Sequence, residues 1–113
     1  MKLNLPIDIE KVKGFLDPLE GEALYTHSKT ATERGPALEI GSYCGKSAVY
    51  IGLAAKENDE KLYSVDHHKG SEEQQPGEEY YDPDLIDKTR KGIDTLPFFL
   101  DTIRKSDLEG VVI

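Results

Sequence analysis

The chain has 113 residues, which allows one domain, and 22 acidic against 14 basic side chains give a formal net charge of −8. This balance argues against a nucleic-acid partner and an anionic membrane surface, because both are bound by clustered cations. The single cysteine excludes a disulfide framework and a cysteine-based zinc site. We expect a globular, cytoplasmic protein with no membrane span and no secretory signal.

Residues 1–36 predict two helices. The first follows Asp8, a candidate N-cap. Pro18 can open the second, because the first turn of a helix tolerates proline. We expect the inner stripe of this second helix to consist of Leu19, Ala23, Leu24 and His27. Gly35 and Pro36 then break the helical pattern.

A strand, a glycine turn, a helix and a second strand are predicted next. Residues 37–41 form a short apolar run that is typical of a buried strand. Residues 46–57 are rich in Ala, Ile and Leu, and Gly52 allows this helix to pack closely on a sheet. Residues 62–66 predict the second strand. This order is a βαβ unit, whose strands are parallel and whose crossover is right-handed.

A polar segment, more helix and the start of a third strand complete the chain. Residues 67–83 have no apolar period, and we interpret them as an acidic surface loop, in which we expect residues 68–80 to be mobile without a ligand. A lid over a bound ligand is the alternative. Residues 84–106 predict helix in two pieces, broken near Gly92 and Pro97. The apolar face of the second piece is expected to consist of Leu96, Phe99, Leu100 and Ile103. Residues 111–113 start a third strand.

The candidate chemistry lies at residues 39–47, Glu-Ile-Gly-Ser-Tyr-Cys-Gly-Lys-Ser, where a strand end meets a helix start. A phosphate-binding P-loop needs four residues before its Gly-Lys-Ser, but only three separate Gly41 from Gly45. A dinucleotide fingerprint needs glycine where Tyr43 stands. Both interpretations are therefore weaker than a third, in which the loop binds S-adenosylmethionine (SAM), a ligand that carries no phosphate.

Two carboxylates favour SAM. Its sulfonium and amino groups are cationic, so Glu39 would attract them, whereas it would repel a pyrophosphate. Asp66 ends the neighbouring strand and can accept both ribose hydroxyls. Each acid also has a structural interpretation: Glu39 could cap the helix or pair with Arg34 or Lys46, and Asp66 could form a turn.

For the thiol and the two histidines near these acids, a structural interpretation is favoured over a functional one. Cys44 stands at a helix start, where a thiol can have a lowered pKa and be reactive, but packing within the loop is the favoured interpretation. His67 and His68 follow Asp66 and suggest a metal. Adjacent side chains on an extended chain point apart, so we expect no metal site.

Together these motifs resemble class I SAM-dependent methyltransferases. Residues 39–47 are similar to motif I in the E-x-G-x-x-x-G form of small-molecule O-methyltransferases, and residues 62–66 resemble the acidic motif that follows it. The resemblance covers residues 21–113. It implies an α/β fold, a Rossmann-like parallel sheet with flanking helices in strand order 3-2-1, truncated after the third strand. N-terminal helices (1–36) would precede the N-terminal half of a SAM-binding domain (37–113).

The resemblance implies a cofactor-binding set: Glu39, Gly41, Ser42, Gly45, Asp66 and His67. Asp66 would hold the ribose, His67 would border the adenosine, and the others would line the methionine end. The family's later residues, which complete the acceptor site, have no counterpart here, so no catalytic base can be named. The expected function is methyl transfer from SAM to a small-molecule acceptor, with this chain supplying the cofactor-binding half. The alternative is a non-catalytic truncated module that binds SAM weakly or mediates self-association.

The implied strand order also predicts self-association. With no strand beyond it, strand 37–41 would be an open edge that invites another chain. We expect a two-fold dimer in which two copies of this strand run antiparallel. Helix 7–16 covering the edge, which would keep the chain monomeric, is the alternative.

Overall fold

The structure is a computed structural model that describes residues 3–69, 82–87 and 92–113. The helices are α1 (Pro18–Ala31), α2 (Lys46–Glu57) and α3 (Leu96–Lys105), and short 3₁₀ turns span Ile9–Lys11 and Pro83–Leu85. The strands are β1 (Ala37–Ile40), β2 (Leu62–Val65), β3 (Ile86–Asp87) and β4 (Gly92–Ile93). β1 and β2 form a parallel pair, and β3 and β4 form an antiparallel pair. The described residues therefore form an α/β structure with a small parallel sheet.

The predicted strand–helix–strand order with parallel strands is confirmed. α2 has the predicted bounds, and each strand is one residue shorter than predicted. Gly52 of α2 lies against Leu108 and Val112, whose side-chain carbons would be 3.0 and 3.1 Å from an added Cβ. A glycine here lets the helix approach the end of the chain closely. None of the helices in the described residues is long and apolar enough to cross a membrane.

The segment 111–113 runs along β2. The Leu62 N–H donates to the Val111 carbonyl at 2.9 Å, and the Ile113 N–H donates to the Leu62 carbonyl at 2.8 Å. Leu62 and Val112 form a parallel bridge. On the side of β1, the Val65 carbonyl accepts from the Gly41 N–H. The backbone groups of Leu62 point the other way, so segment 111–113 lies on the opposite edge of β2. The regular sheet nevertheless contains only β1 and β2 among the described residues.

The main core lies on one side of this sheet, under α2 and α3. Its buried members are Ala48, Leu62, Phe99, Ile103, Leu108 and Val112. The predicted apolar face of α3 is half right: Phe99 and Ile103 are buried, whereas Leu96 and Leu100 are exposed. The buried Thr102 shifts the inner face of α3 around the helix, which leaves Leu96 and Leu100 at its margin.

The other side of the sheet is open in the described residues. Four apolar side chains project from it: Leu38, Ile40, Tyr63 and Val65. Their exposure reaches 80% at Ile40. Side chains alternate between the faces of a strand, so the intervening positions, Glu39 and Ser64 among them, lie on the helix side.

The N-terminal helices differ from the prediction. The first is reduced to the turn Ile9–Lys11, and residues 13–17 have no regular structure. The second begins at Pro18 as predicted, with a capping box: the Asp17 carboxylate accepts from the Leu19 N–H, and Glu20 accepts from the Asp17 N–H.

The predicted inner stripe of α1 is wrong. Leu19 is 74% exposed, and the buried residue of α1 is Gly21. An added Cβ on Gly21 would collide with the ring of Tyr50 in α2. The two helices therefore meet where a glycine admits an aromatic ring, and this rotates the leucine and its stripe outward.

The prediction of helix from residue 84 is also wrong in its first part. The described residues there form a 3₁₀ turn and the β3–β4 pair. Pro97 does not break a helix but lies in the first turn of α3, where its missing N–H is not needed. The predicted acidic loop lies for the most part outside the described residues, which resume at residue 82 after residue 69.

Candidate functional site

Residues 41–45, the glycine loop, join β1 to α2 at the carboxyl end of the sheet. The loop has positive φ at Gly41 (91°), Tyr43 (49°) and Gly45 (94°). A Cβ on Gly41 would meet open space, whereas one on Gly45 would lie 3.1 Å from the Phe99 ring. A glycine at position 45 is thus required both by its positive φ and by the close Phe99 ring. At Gly41 only the φ requires glycine, and the backbone there faces open space.

Asp66 ties the glycine loop to the loop that follows β2. Its Oδ2 accepts from the Tyr43 N–H at 2.9 Å, and its Oδ1 accepts from the His68 N–H at 3.0 Å. Burial opposes ionisation of this carboxylate, but the backbone bonds from His68 and Tyr43 outweigh it and lower the pKa of Asp66. The acid is therefore ionised at neutral pH. Carboxylate oxygens have about four acceptor sites between them, so two bonds leave capacity for further donors.

Glu39 lies on the helix side of the sheet and accepts two hydroxyl hydrogen bonds. Its Oε1 accepts from Ser64 at 2.8 Å, and its Oε2 accepts a short bond from Ser47 in the first turn of α2. Among the described residues, these hydroxyls satisfy the carboxylate in place of the predicted alternatives Arg34 and Lys46. Glu39 therefore joins β1 to β2 and α2 directly beside the glycine loop.

Ser42 and Cys44 of the glycine loop are both buried. The Ser42 hydroxyl has no hydrogen-bond partner within the described residues. Burial raises the pKa of the Cys44 thiol to about 12, and its side chain packs with Leu85 and Ile93 in a small second core. The packing interpretation of Cys44 is confirmed, and the raised pKa of the thiol is the opposite of the lowering that a helix start can produce.

The adjacent histidines have different surroundings. His67 is exposed, and its Nδ1 accepts from the Lys69 N–H at 2.9 Å. His68 is buried: its Nδ1 shares a hydrogen bond of 2.8 Å with the Thr95 hydroxyl, and its ring lies 5.3 Å from that of Phe99. Within residues 3–69, 82–87 and 92–113 no three potential metal ligands converge. Sequence reasoning selected His67 and missed that His68 joins this loop to the start of α3.

A second missed feature is the N-terminal strap, residues 12–16, which lies beside the glycine loop. A cleft of about 300 Å³ separates them, lined by Gly14, Phe15, Leu16, Glu20, Gly41, Ser42, Tyr43, Lys46 and Ser47. The Phe15 ring lies 5.8 Å from the Tyr43 ring, and a Cβ on Gly14 would be 3.1 Å from Lys46. Gly14, which stands between Lys13 and Phe15, was a sequence signal of an interrupted helix here.

The predicted residues thus converge at one edge. Asp66 contacts the loop that contains Gly41, Ser42 and Gly45, and Glu39 anchors the helix that follows the loop. His67 stands next to Asp66 on the exposed side. A family model described as a methyltransferase domain matches residues 38–109. The match includes the glycine loop, Glu39 and Asp66, and it leaves out the strap.

Proposed function

This chain belongs to the methyltransferase-domain family, and from that membership we propose that it binds SAM at the carboxyl ends of β1 and β2 for methyl transfer to a small molecule. The resemblance drawn from the sequence is confirmed as a SAM-dependent methyltransferase-like domain. The position of the SAM site, a small-molecule acceptor and a cytoplasmic location are parts of this proposal. The last of these is supported by the single cysteine.

The observation that carries the proposal is the Asp66 carboxylate. It is ionised, it is fixed by two backbone N–H groups, and it stands where two parallel strands end. Ligands of open α/β sheets bind at this position, and an acid there typically accepts ribose hydroxyls. Glu39 adds a second negative charge nearby. Together the two acids favour a donor with cationic groups over one with phosphates.

The glycine loop fits the methionine end of such a donor. Open space over Gly41 permits a ligand to approach the backbone, and the buried Ser42 hydroxyl lacks a partner among the described residues. The first turn of α2 leaves N–H groups without helical acceptors next to this loop. These groups suit the polar amino-acid portion of SAM, and His67 borders the remaining, adenosine side of Asp66.

When bound, SAM would supply an activated methyl group on its sulfonium. The contribution of this chain is to hold and orient the donor, which lowers the entropic part of the barrier. Asp66 and the glycine loop fix the donor's position. No described residue is assigned as a base, so deprotonation of the acceptor is left to groups outside this set.

We propose a Rossmann-like arrangement in strand order 3-2-1 for the sheet. β1 and β2 are parallel neighbours, and segment 111–113 bonds to the far edge of β2 in parallel register. A parallel pair with the crossover helix α2 packed on one face is the unit from which such sheets are built. This arrangement supports the proposed site, because it sets Glu39 and Asp66 at the ends of adjacent strands.

A calorimetric titration with S-adenosylhomocysteine (SAH), the demethylated product of SAM, tests the proposal. Asp66→Ala removes the ribose acceptor and should weaken binding about 10- to 150-fold, the equivalent of about 1.5–3 kcal/mol for hydrogen bonds to a charged group. Asp101→Ala is the matched control, since Asp101 lies on α3 and pairs with Arg104 and Lys105. Equal affinity of Asp66→Ala and the wild type would refute the role of Asp66.

The open face of the sheet supports a second candidate, self-association. Leu38 and Ile40 are exposed on β1, and no strand of the described residues pairs with its outer edge. We propose that two copies pair antiparallel along β1 in a two-fold dimer, which would make the chain an interaction module. Light scattering should then give a dimer mass, and Ile40→Lys should give a monomer. A monomeric wild type at high concentration would contradict this candidate.

A further inference from the structure

We propose that Lys13 is a positioning residue that fastens the N-terminal strap over the glycine-loop cleft and thereby slows the release of a ligand bound there. The identity of that ligand, SAH in the test below, rests on the proposed function. The fastening itself rests only on contacts between described residues.

Lys13 joins three separate parts of the chain. Its Nζ lies 2.6 Å from Asp82 Oδ2 and 3.1 Å from Asp84 Oδ2, across sequence separations of 69 and 71 residues. The same Nζ lies 5.8 Å from the centre of the Phe98 ring at the start of α3. One ammonium group therefore links the strap to the 3₁₀ turn Pro83–Leu85 and to α3.

The pair between Lys13 and Asp82 is less exposed to water than an ordinary surface pair. Exposed pairs contribute little because water screens them and the side chains lose entropy. The Lys13 and Asp82 side chains are each only 27% exposed, and two carboxylates share one ammonium. The hydrogen bond that Lys13 donates to Asp82 lowers the pKa of the Asp82 carboxyl group and raises the pKa of the Lys13 ammonium group. By contrast, Lys11 lies 3.9 Å from Asp8 and is 84% exposed.

The strap depends on such side-chain anchors. No helix or strand includes residues 13–16 in the described part of the chain. Val12 is buried at one end, and the capping box of Asp17 fixes the other. Between them, the contacts within the described residues include those of Lys13 with its two aspartates, of Gly14 with Lys46 and of the Phe15 ring with Tyr43. Loss of the Lys13 pairs would loosen the segment on the side where it faces the cleft.

The cleft lies between the strap and the glycine loop, so a ligand in it leaves when the strap moves away. Lys13 contributes no atom to the cleft lining, whereas Gly14, Phe15 and Leu16 do. Its effect on binding is therefore indirect and kinetic. Removing its charge should raise the dissociation rate while leaving the association rate nearly unchanged.

The test compares Lys13→Met with Lys11→Met, a neighbouring lysine with a weak and exposed ion pair. Limited proteolysis of the ligand-free protein by chymotrypsin is measured first, and cleavage after Phe15 or Leu16 should be about tenfold faster in Lys13→Met only. SAH dissociation is measured next by stopped flow, and it should be several-fold faster in the same variant. The double variant Lys13→Asp with Asp82→Lys should restore part of both effects, because it reverses the pair.

The outcomes separate this proposal from the proposed function. Unchanged proteolysis of Lys13→Met would overturn the fastening, whatever the protein binds. Faster proteolysis with an unchanged SAH dissociation rate would overturn the effect on release. No SAH binding by the wild type would contradict the proposed function, and the cleavage rate after Phe15 or Leu16 would still decide whether Lys13 fastens the strap.

Discussion

The core beneath α2 and the glycine-loop edge are held together by different forces. The core consists of apolar side chains from α2, β2, α3 and the end of the chain, with Leu62 and Leu108 fully buried. The edge is organised by charged groups that reach across the sequence: Asp66 to Tyr43, Glu39 to Ser64, and Lys13 to Asp82. The core therefore provides most of the stability, whereas the edge combines smaller contributions to stability with an ionised Asp66 carboxylate beside the open backbone of Gly41.

The largest expected effect lies in the core. Leu62→Ala should lower the free energy of unfolding by about 2–5 kcal/mol, because it removes buried methyl groups and leaves a cavity. Leu38→Ala is the matched control on the neighbouring strand, where the side chain is 65% exposed and the change should be within about 0.5 kcal/mol. Urea denaturation followed by circular dichroism measures both.

This pair of variants also tests the open face of the sheet. If Leu38→Ala were as destabilising as Leu62→Ala, Leu38 would be covered in solution. That result would contradict the contrast between the two faces, and it would favour the self-association candidate.

A smaller effect is expected within the glycine loop, where Gly45 touches the core and Gly41 does not. Gly45→Ala combines a left-handed φ with a contact of 3.1 Å to Phe99 and should cost about 1–3 kcal/mol or more. Gly41→Ala has the φ penalty alone, about 1–2 kcal/mol, because its Cβ would meet open space. Thermal unfolding of both variants measures the difference. A larger loss of stability for Gly41→Ala would show that Gly41 is packed against other atoms, which would contradict the open space described here.

Acid should weaken the edge through Asp66. Its folded-state pKa lies below its ordinary value of 3.8, so its stabilising contribution is complete above that value and is lost as the pH falls through the folded pKa. Asp66→Asn should therefore be less stable than the wild type at neutral pH, and the difference should shrink below pH 3.8. A difference that does not vary with pH would contradict the assigned hydrogen bonds.

The parts of this structure that follow from the sequence are those determined locally. The bounds of α2, its glycine turn and its flanking strands were predictable, because apolar runs, glycines and an acid at a strand end lie within one short stretch. Pro18 likewise marks the start of α1 by its own chemistry. Glu39, Gly41, Ser42, Gly45 and Asp66 were predicted to meet for the same reason, since parallel strands end at one edge.

The parts that did not follow depend on contacts between distant segments. Leu19 has helical spacing, yet Gly21 forms the contact with Tyr50, and only the packing of two helices reveals this. The pairing of Lys13 with Asp82 has no periodicity that a sequence pattern could detect. The β3–β4 pair replaced a predicted helix, and its two-residue strands are too short to give a period of their own.

We expect the glycine-loop edge to bind a phosphate-free donor with cationic groups. The most direct test compares the binding of three ligands. Wild-type protein is titrated by calorimetry with SAM, ATP and NAD under the same conditions. We expect saturable binding of SAM at one site and no saturable heat for ATP or NAD, because Glu39 and Asp66 repel phosphates. Saturable binding of ATP or NAD without binding of SAM would contradict this expectation.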